Sequence, residues 1–311
     1  MKTRAYGQTG KSVSEIGFGA WQLGNSRDWE AMEDKAAITL VHEALERGIN
    51  FFDSAPNYAG GKSEDLLGEA LRGKREKAVI STKFGHTAEG KTDFSADKIR
   101  ESLDQSLKRL KTDYVDSLLL HNPPFDHLDG KYGHYEVLEE LKKEGKILAY
   151  GASVDSSKEM LELIRNTSVG VLEVMFNILY QETAEAFEMA REKGIALIIK
   201  VPLDSGWLSG KYNSASTFTG VRARWSPDVI RKRGALVEKI KGITGAELPL
   251  SISALRFILA HPEVTTVIPG IRNREQLADN VSASSGEMNE AVKKQLQDLW
   301  ETEIRFADLG W

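Results

Sequence analysis

Along the 311-residue chain, short apolar runs alternate with longer stretches in which apolar residues recur every three or four positions. The runs have the length of buried strands, and the stretches have the period of amphipathic helices. Residues 3–15 carry Gly7 and Gly10 between short alternating segments and predict a β-hairpin. Residues 16–21 (IGFGAW) predict a strand, and residues 35–47 a helix that stops at Gly48. The pairing of strand and helix then repeats at 50–53 with 64–71, 78–83 with 96–110, 115–120 with 135–143, 147–152 with 157–165, and 171–176 with 184–192. Residues 195–201 form the seventh strand, followed by a long insertion and helices to about Leu259, and 265–268 with 274–281 form the eighth unit.

Apolar strands alternating with amphipathic helices indicate a parallel sheet covered by helices, and eight alternations favour closure. The expected fold is α/β, a (β/α)8 TIM barrel with an N-terminal β-hairpin and extra C-terminal helices, in a single domain over residues 1–311. A doubly wound open sheet is the alternative. Residues 204–226, rich in Gly, Ser and Thr, exceed an ordinary connection and read as a functional loop or lid. Residues 287–311 predict an amphipathic helix and a C-terminal strip packed across the barrel.

Composition narrows the chemistry. With no cysteine, a disulfide scaffold, thiolate zinc sites and thiol nucleophiles are excluded, so reactivity rests on oxygen, nitrogen or a cofactor. A net charge of −5 with interspersed signs argues against a nucleic-acid partner. The opening MKTRAYGQTG has no apolar core of a leader, and no stretch approaches the roughly 20 apolar residues of a membrane span. The expectation is a soluble, cytoplasmic protein with no membrane partner, acting on a small molecule. His86, His127 and His134 share no metal-ligand spacing and are expected at the surface or in loops, so no metal is assigned. Oligomeric state is not readable from the chain.

The stretch FFDSAPNYAGGKSEDLLG holds the candidate chemistry. Asp53 ends a strand and Tyr58 follows in the loop, while Lys83 and His121 stand at the ends of the next two strands. Adjacent strand ends of a barrel converge on one mouth, which gathers a carboxylate, a phenol, an ammonium and an imidazole. Lys83 is expected to favour the phenolate of Tyr58 and so ease its proton loss, with Asp53 holding Lys83 and His121 orienting a carbonyl oxygen. No side chain supplies a hydride, which implies a nicotinamide cofactor. Gly17, Gly19 and Gly24 lack the spacing of a dinucleotide fingerprint, and Trp21 at the strand end is a candidate pocket wall.

In IGFGAWQLG, DSAPNY, GKSEDLLGEAL, ISTKFG, DSLLLHNP, PLDSGWLSGKY and IPGIRNREQLADN, taken in order, the sequence resembles the aldo-keto reductase superfamily over nearly its whole length. The resemblance is to the branch whose cofactor motif reads IPG rather than IPK. It implies carbonyl reduction with NADPH, NADH being possible, and a catalytic tetrad of Asp53, Tyr58, Lys83 and His121. It assigns Pro202, Leu203, Leu208, Gly210 and Lys211 to the pyrophosphate loop, and Pro269, Gly270, Arg272, Gln276 and Asn280 to adenosine and its 2′-phosphate, with Arg272 on the phosphate. Ser153, Glu173, Asn177, Lys200 and Trp21 complete the cofactor contacts. Trp21, Tyr58 and Phe84 line the substrate pocket, with the loop at 122–132 and Trp207 or Trp225. Three positions depart from the family pattern: Val154 for an asparagine, Glu173 for a glutamine and Lys200 for a stacking tyrosine. They motivate two alternatives, a nucleotide-binding regulatory or interaction protein resembling potassium-channel β-subunits, and an NAD-preferring sugar or polyol dehydrogenase. Arg222 and Arg224 read as a solvated patch or as recruiters of a carboxylate or phosphate.

Overall fold

The structure, a computed structural model, describes residues 1–27, 29 and 31–310, Val221 by its backbone alone. Eight parallel strands form one curled sheet in the order β10-β9-β8-β7-β6-β5-β4-β3. They are β3 (Phe18–Gly19), β4 (Phe51–Asp53), β5 (Val79–Phe84), β6 (Val115–His121), β7 (Ile147–Val154), β8 (Val171–Met175), β9 (Ala196–Lys200) and β10 (Val264–Val267). Parallel bridges Ile16↔Val267 and Gly19↔Gly270 join the two outermost strands, so the sheet edges meet. A separate antiparallel hairpin, β1 (Thr3–Ala5) and β2 (Ser12–Ser14), precedes them. The predicted (β/α)8 arrangement and hairpin are both present.

The period of two along each strand divides the core. Phe51, Val79, Leu119, Ala149, Val171 and Ile198 point inward and form one apolar cluster with Tyr6 and Val13 from the hairpin. Tyr6 is fully buried there, and its hydroxyl lies 2.6 Å from Ser117 Oγ. The intervening residues, including Phe52, Ile80, Leu118, Leu120, Leu172 and Ile199, face the helices in a larger outer core. Two residues beyond the inward apolar positions stand Asp53, His121, Glu173 and Lys200, and four residues beyond Val79 and Ala149 stand Lys83 and Ser153. The same face that is apolar at the hairpin end is therefore polar at the C-terminal mouth.

Helices α1 (Asp34–Glu46), α2 (Lys62–Ala70), α3 (Ile99–Leu110), α4 (His134–Lys143), α5 (Ser157–Asn166) and α6 (Phe187–Glu192) cover the sheet between strands. Buried Glu64 fixes α2 by accepting from Thr82 Oγ1 at 2.6 Å and Arg109 Nε at 2.7 Å. Gly68 lets α2 close on α3, since a Cβ there would stand 2.4 Å from the Arg109 carbonyl oxygen. The first strand is shorter than the apolar run suggested, because residues 20–22 turn into a 3₁₀ segment that carries Trp21. His134, expected at the surface or in a loop, is buried at the start of α4, with a ring nitrogen on the Phe94 carbonyl.

After β9 come α7 (Pro227–Thr244), α8 (Leu250–Leu259), α9 (Arg274–Ala283) and α10 (Glu290–Thr302). The segment expected as a functional loop or lid has a core of its own: Trp207, Tyr212, Phe218 and Trp225 meet ring to ring at 4.8–5.8 Å. Buried Arg233 on α7 pairs with buried Asp204 and donates to the Leu309 carbonyl at 3.1 Å. Trp225 Nε1 donates to the Gly310 carbonyl at 2.8 Å, so the C-terminal strip fastens the base of this segment.

Candidate active site

Inward polarity at the strand ends brings the four expected catalytic residues together. Lys83 Nζ donates to both Asp53 oxygens at 2.5 and 2.7 Å and to the Ser54 carbonyl at 3.1 Å. The same ammonium lies 5.3 Å from the centroid of the Tyr58 ring. Tyr58 is followed by Ala59, Gly60 and Gly61, all in the left-handed region, with φ of 52°, 62° and 90°. This tight turn returns the chain into α2 and leaves the phenol over the mouth; two of its three positions are glycine, as that region favours. The His121 ring stands edge-on to Tyr58 at 5.9 Å, and Trp21 lies on the other side at 6.4 Å.

A fifth residue enters this cluster. Glu173 Oε2 lies 3.1 Å from Lys83 Nζ, both side chains being buried. Burial pushes Asp53 up, and the Glu173 charge adds to it beyond what Lys83 takes away, so Asp53 sits well above the usual carboxylate range. Burial acts on Glu173 as well, but the charges of Lys83 and Lys200 outweigh it and hold Glu173 down. The two carboxylates in turn outweigh desolvation of Lys83 and keep its ammonium charged.

Tyr58 departs from expectation. Its phenol is pushed up, not down: desolvation is the largest influence, and Asp53 and Glu173 oppose much of what Lys83 contributes. A cation flanked by two carboxylates is nearly neutralised as seen from the phenol. Tyr58 therefore holds its proton firmly. Burial, with the Lys83 charge second, pulls His121 well below the usual imidazole range and keeps it neutral, able to donate without carrying charge.

The remaining assigned residues separate into groups. Ser153 Oγ donates to Glu173 Oε1 at 3.1 Å, directly opposite it in the β7–β8 register. Lys200 Nζ donates to Ser153 Oγ at 2.8 Å and to Asn122 Oδ1 at 2.9 Å, and pairs with Asp155 at 2.9 Å. Val154 faces the helices and is buried in the outer core. Asn177 spends its amide on the Val201 carbonyl (3.0 Å) and the Leu179 N–H (2.8 Å). Phe84 is buried in the outer core, edge-on to Phe94. Trp207 and Trp225 are buried in the core of their own segment, which removes them from the pocket wall.

Further round the mouth lie the residues assigned to phosphates and adenosine. Pro202 and Leu208 are buried, so only backbone is offered there, while Gly210 at φ 79° turns the chain toward exposed Lys211. Among the described residues Lys211 has no carboxylate partner. Gln276 accepts from the Arg272 N–H at 2.9 Å, and buried Asn280 Nδ2 has no partner among the described residues. Gly270 packs against Gln22, where a Cβ would meet its amide nitrogen at 2.1 Å.

Sequence spacing gave no sign of Trp29. Its ring has the Arg222 guanidinium at 4.6 Å and that of Arg272 at 5.5 Å, and it meets Trp21 edge-on at 5.8 Å. Arg222 Nε donates to the Ser205 carbonyl at 2.7 Å, and Arg224 donates to Ser205 Oγ at 3.2 Å, so both fold onto the loop and are not a detached patch. Trp29 lies between Gly24 and α1, where no periodicity marks it.

Eight parallel strands around buried Asp53 and Lys83 and half-buried Tyr58 and His121, with cations along one side of the mouth, have the layout of an oxidoreductase that works with an anionic dinucleotide. A sequence profile of the Aldo/keto reductase family matches residues 15–301. The chain belongs to that family and is an NAD(P)H-dependent aldo-keto reductase. L-galactose dehydrogenase of Arabidopsis thaliana is 32% identical over 292 residues, spanning 91% of this chain and 88% of the relative. The NADH-specific methylglyoxal reductase of Escherichia coli is 28% identical over 324 residues, spanning 97% and 99%. Among solved structures, the holo form of an aldo-keto reductase from Bacillus halodurans matches with a TM-score of 0.82 at 29% identity, covering 96% of each chain.

Proposed function

We propose that the protein reduces the carbonyl group of a small aldehyde or ketone with NADPH, Tyr58 giving the proton to the carbonyl oxygen. The observation that carries this is the closed cluster of Asp53, Lys83, Tyr58 and His121 on the inward face of adjacent strand ends. Neutral His121 donates to the carbonyl oxygen and polarises it. Tyr58, its proton firmly held, gives that proton only as alkoxide character develops. Asp53 fixes Lys83, and Trp21 bounds the pocket beside the phenol.

The donor set suits a phosphorylated dinucleotide. Lys211, Arg222 and Arg272 present cations along one side, and Nδ2 of buried Asn280, without a partner among the described residues, is a donor for the ligand. Arg272 would hold the 2′-phosphate and Lys211 the pyrophosphate. When bound, the reduced nicotinamide supplies the hydride. At its end of the groove Glu173 is paired with Lys83, and Ser153 lies between Glu173 and Lys200.

Steady-state oxidation of NADPH with 4-nitrobenzaldehyde tests this. Tyr58→Phe should lower kcat by about 10²–10⁴, the usual contribution of a general acid. Undiminished turnover in that variant would remove Tyr58 from the mechanism. The likeness to a sugar dehydrogenase motivates running the same assay in reverse with L-galactose and NAD⁺, which distinguishes a dehydrogenase working toward oxidation.

A further inference from the structure

We infer that His86 is a specificity residue that takes a hydroxyl on the carbon next to the carbonyl, so that the preferred substrates are α-hydroxy aldehydes and ketones. The inference rests on the reading of the site proposed above, in which Tyr58 and His121 hold the carbonyl oxygen. Four rings follow one another at the mouth: Trp21 stands 6.4 Å from Tyr58, Tyr58 5.9 Å from His121, and His121 5.0 Å from His86. A carbonyl seated between Tyr58 and His121 has His86 as the next ring after His121.

The loop after β5 builds this position. Residues 85–93 form a short hairpin, in which the antiparallel bridge His86↔Thr92 is flanked by two backbone hydrogen bonds. The Thr87 N–H donates to the Lys91 carbonyl at 2.8 Å, and the Asp93 N–H to the Gly85 carbonyl at 2.8 Å. Gly85, at φ 115°, makes room for the Phe94 ring, which a Cβ there would overlap. Phe94 in turn meets the His86 ring edge-on at 5.6 Å, and His121 meets it edge-on at 5.0 Å. His86 Nδ1 lies 3.0 Å from Thr92 Oγ1, which fixes the ring about its last torsion. Half-buried His86 is thus held by three neighbours, and its Nε2, directed away from Thr92, has no hydrogen-bond partner among the described residues.

The character of this nitrogen fits a hydroxyl. The Thr92 hydroxyl can give a proton to Nδ1 or accept one from it, so Nε2 can accept or donate in turn, as a hydroxyl does. A carboxylate next to the carbonyl would call for a cation. The two ammonium groups whose charge acts on His121, Lys83 and Lys200, are already paired with Asp53, Glu173 and Asp155. Among the described residues His86 itself is in no ion pair and in hydrogen-bond contact with no lysine or arginine. In an α-hydroxy carbonyl compound the two oxygens stand on adjacent carbons, which suits two imidazoles in edge contact. His121 takes the carbonyl oxygen and His86 the hydroxyl beside it. The second hydrogen bond orients the substrate without touching the reacting carbon, so its loss appears as a change in substrate preference.

Hydroxyacetone and butan-2-one are ketones of similar size that differ in a hydroxyl against a methyl group. With NADPH, His86→Leu should lower the ratio of kcat/KM for hydroxyacetone to kcat/KM for butan-2-one about tenfold relative to wild type, the net worth of one hydrogen bond. A loss common to both ketones, such as a disturbed loop, cancels in this ratio, and their unequal intrinsic reactivity cancels between variant and wild type. Thr92→Val, which keeps the imidazole but frees its ring, should lower the ratio about threefold. His86→Gln, which keeps a donor and an acceptor, should restore part of what leucine loses. An unchanged ratio in His86→Leu overturns the assignment, as does a wild-type protein that reduces 4-nitrobenzaldehyde but not hydroxyacetone. Tyr58→Phe separates the two readings: if it is inactive on both ketones while the His86→Leu ratio equals that of wild type, only the specificity role fails, and if it is active, the tyrosine acid fails too.

Discussion

Replacing Lys83 with methionine isolates the charge arrangement at the centre of the site. The ammonium is buried between Asp53, at 2.5 and 2.7 Å, and Glu173, at 3.1 Å. Methionine fills the same space without charge and leaves two buried carboxylates acting on one another. Two such groups do not both stay ionised, so the folded variant takes up a proton that the unfolded chain releases above about pH 4. Stability then falls with rising pH by about 1.4 kcal/mol per pH unit, because the folded state binds one more proton than the unfolded state. Between pH 6 and 8 the loss is about 2.7 kcal/mol, on the condition that the folded pair keeps its proton throughout. Breaking a buried ion pair costs about 3–5 kcal/mol, the figure expected near pH 8, where protonation is hardest, and most of it is recovered near pH 6. Urea unfolding of Lys83→Met at pH 6, 7 and 8 measures this slope. The Asp53→Asn, Glu173→Gln, Lys83→Met triple variant has no carboxylate pair left to share a proton and should lose this slope. A pH-independent loss in the single variant, or the same slope in the triple variant, would refute the account of two carboxylates balanced on one ammonium.

Other residues give separate tests. His261 sits among Phe176, Phe257 and Phe187, and burial pulls its imidazole down from 6.5 to about 4. A depressed folded pKa makes its contribution to stability complete above pH 6.5 and lost as pH falls, about 3 kcal/mol by pH 4, so His261→Phe should flatten the acid side of a urea-stability profile over that range. Arg233→Met leaves buried Asp204 without its cation and frees the Leu309 carbonyl, which should cost about 3–5 kcal/mol by urea unfolding and weaken NADPH binding by loosening the loop base. Arg272→Ala should raise KM for NADPH about tenfold to hundredfold, the worth of a charged contact to phosphate, while leaving KM for NADH nearly unchanged; equal effects on both would place Arg272 away from the 2′-phosphate.

Much of this arrangement could be read from alternation alone. Val171 and Glu173 have the same parity on β8, as do Phe51 and Asp53 on β4, so once the apolar members are known to fill the barrel the carboxylates must point into its mouth. The eight units, the hairpin and the convergence of Asp53, Lys83 and His121 follow from that period. The identity of Lys83's partners does not. Glu173 in place of glutamine reads in sequence as a change at the nicotinamide seat, because residue type carries no distance, and only the folded register puts its carboxylate 3.1 Å from Lys83. The expected direction for Tyr58 failed for the same reason: a lysine nearby favours the phenolate, but a lysine shared by two carboxylates in a buried site hardly does. Trp29 and the aromatic core around Trp207 were invisible for a different reason. They belong to segments without a period, where contacts form between loops distant in sequence, and spacing within one segment says nothing of its partner in another. The family pattern names Tyr58 as the proton donor, while the charge around its phenol depends on a substitution whose role is set by its neighbours on β5 and β7.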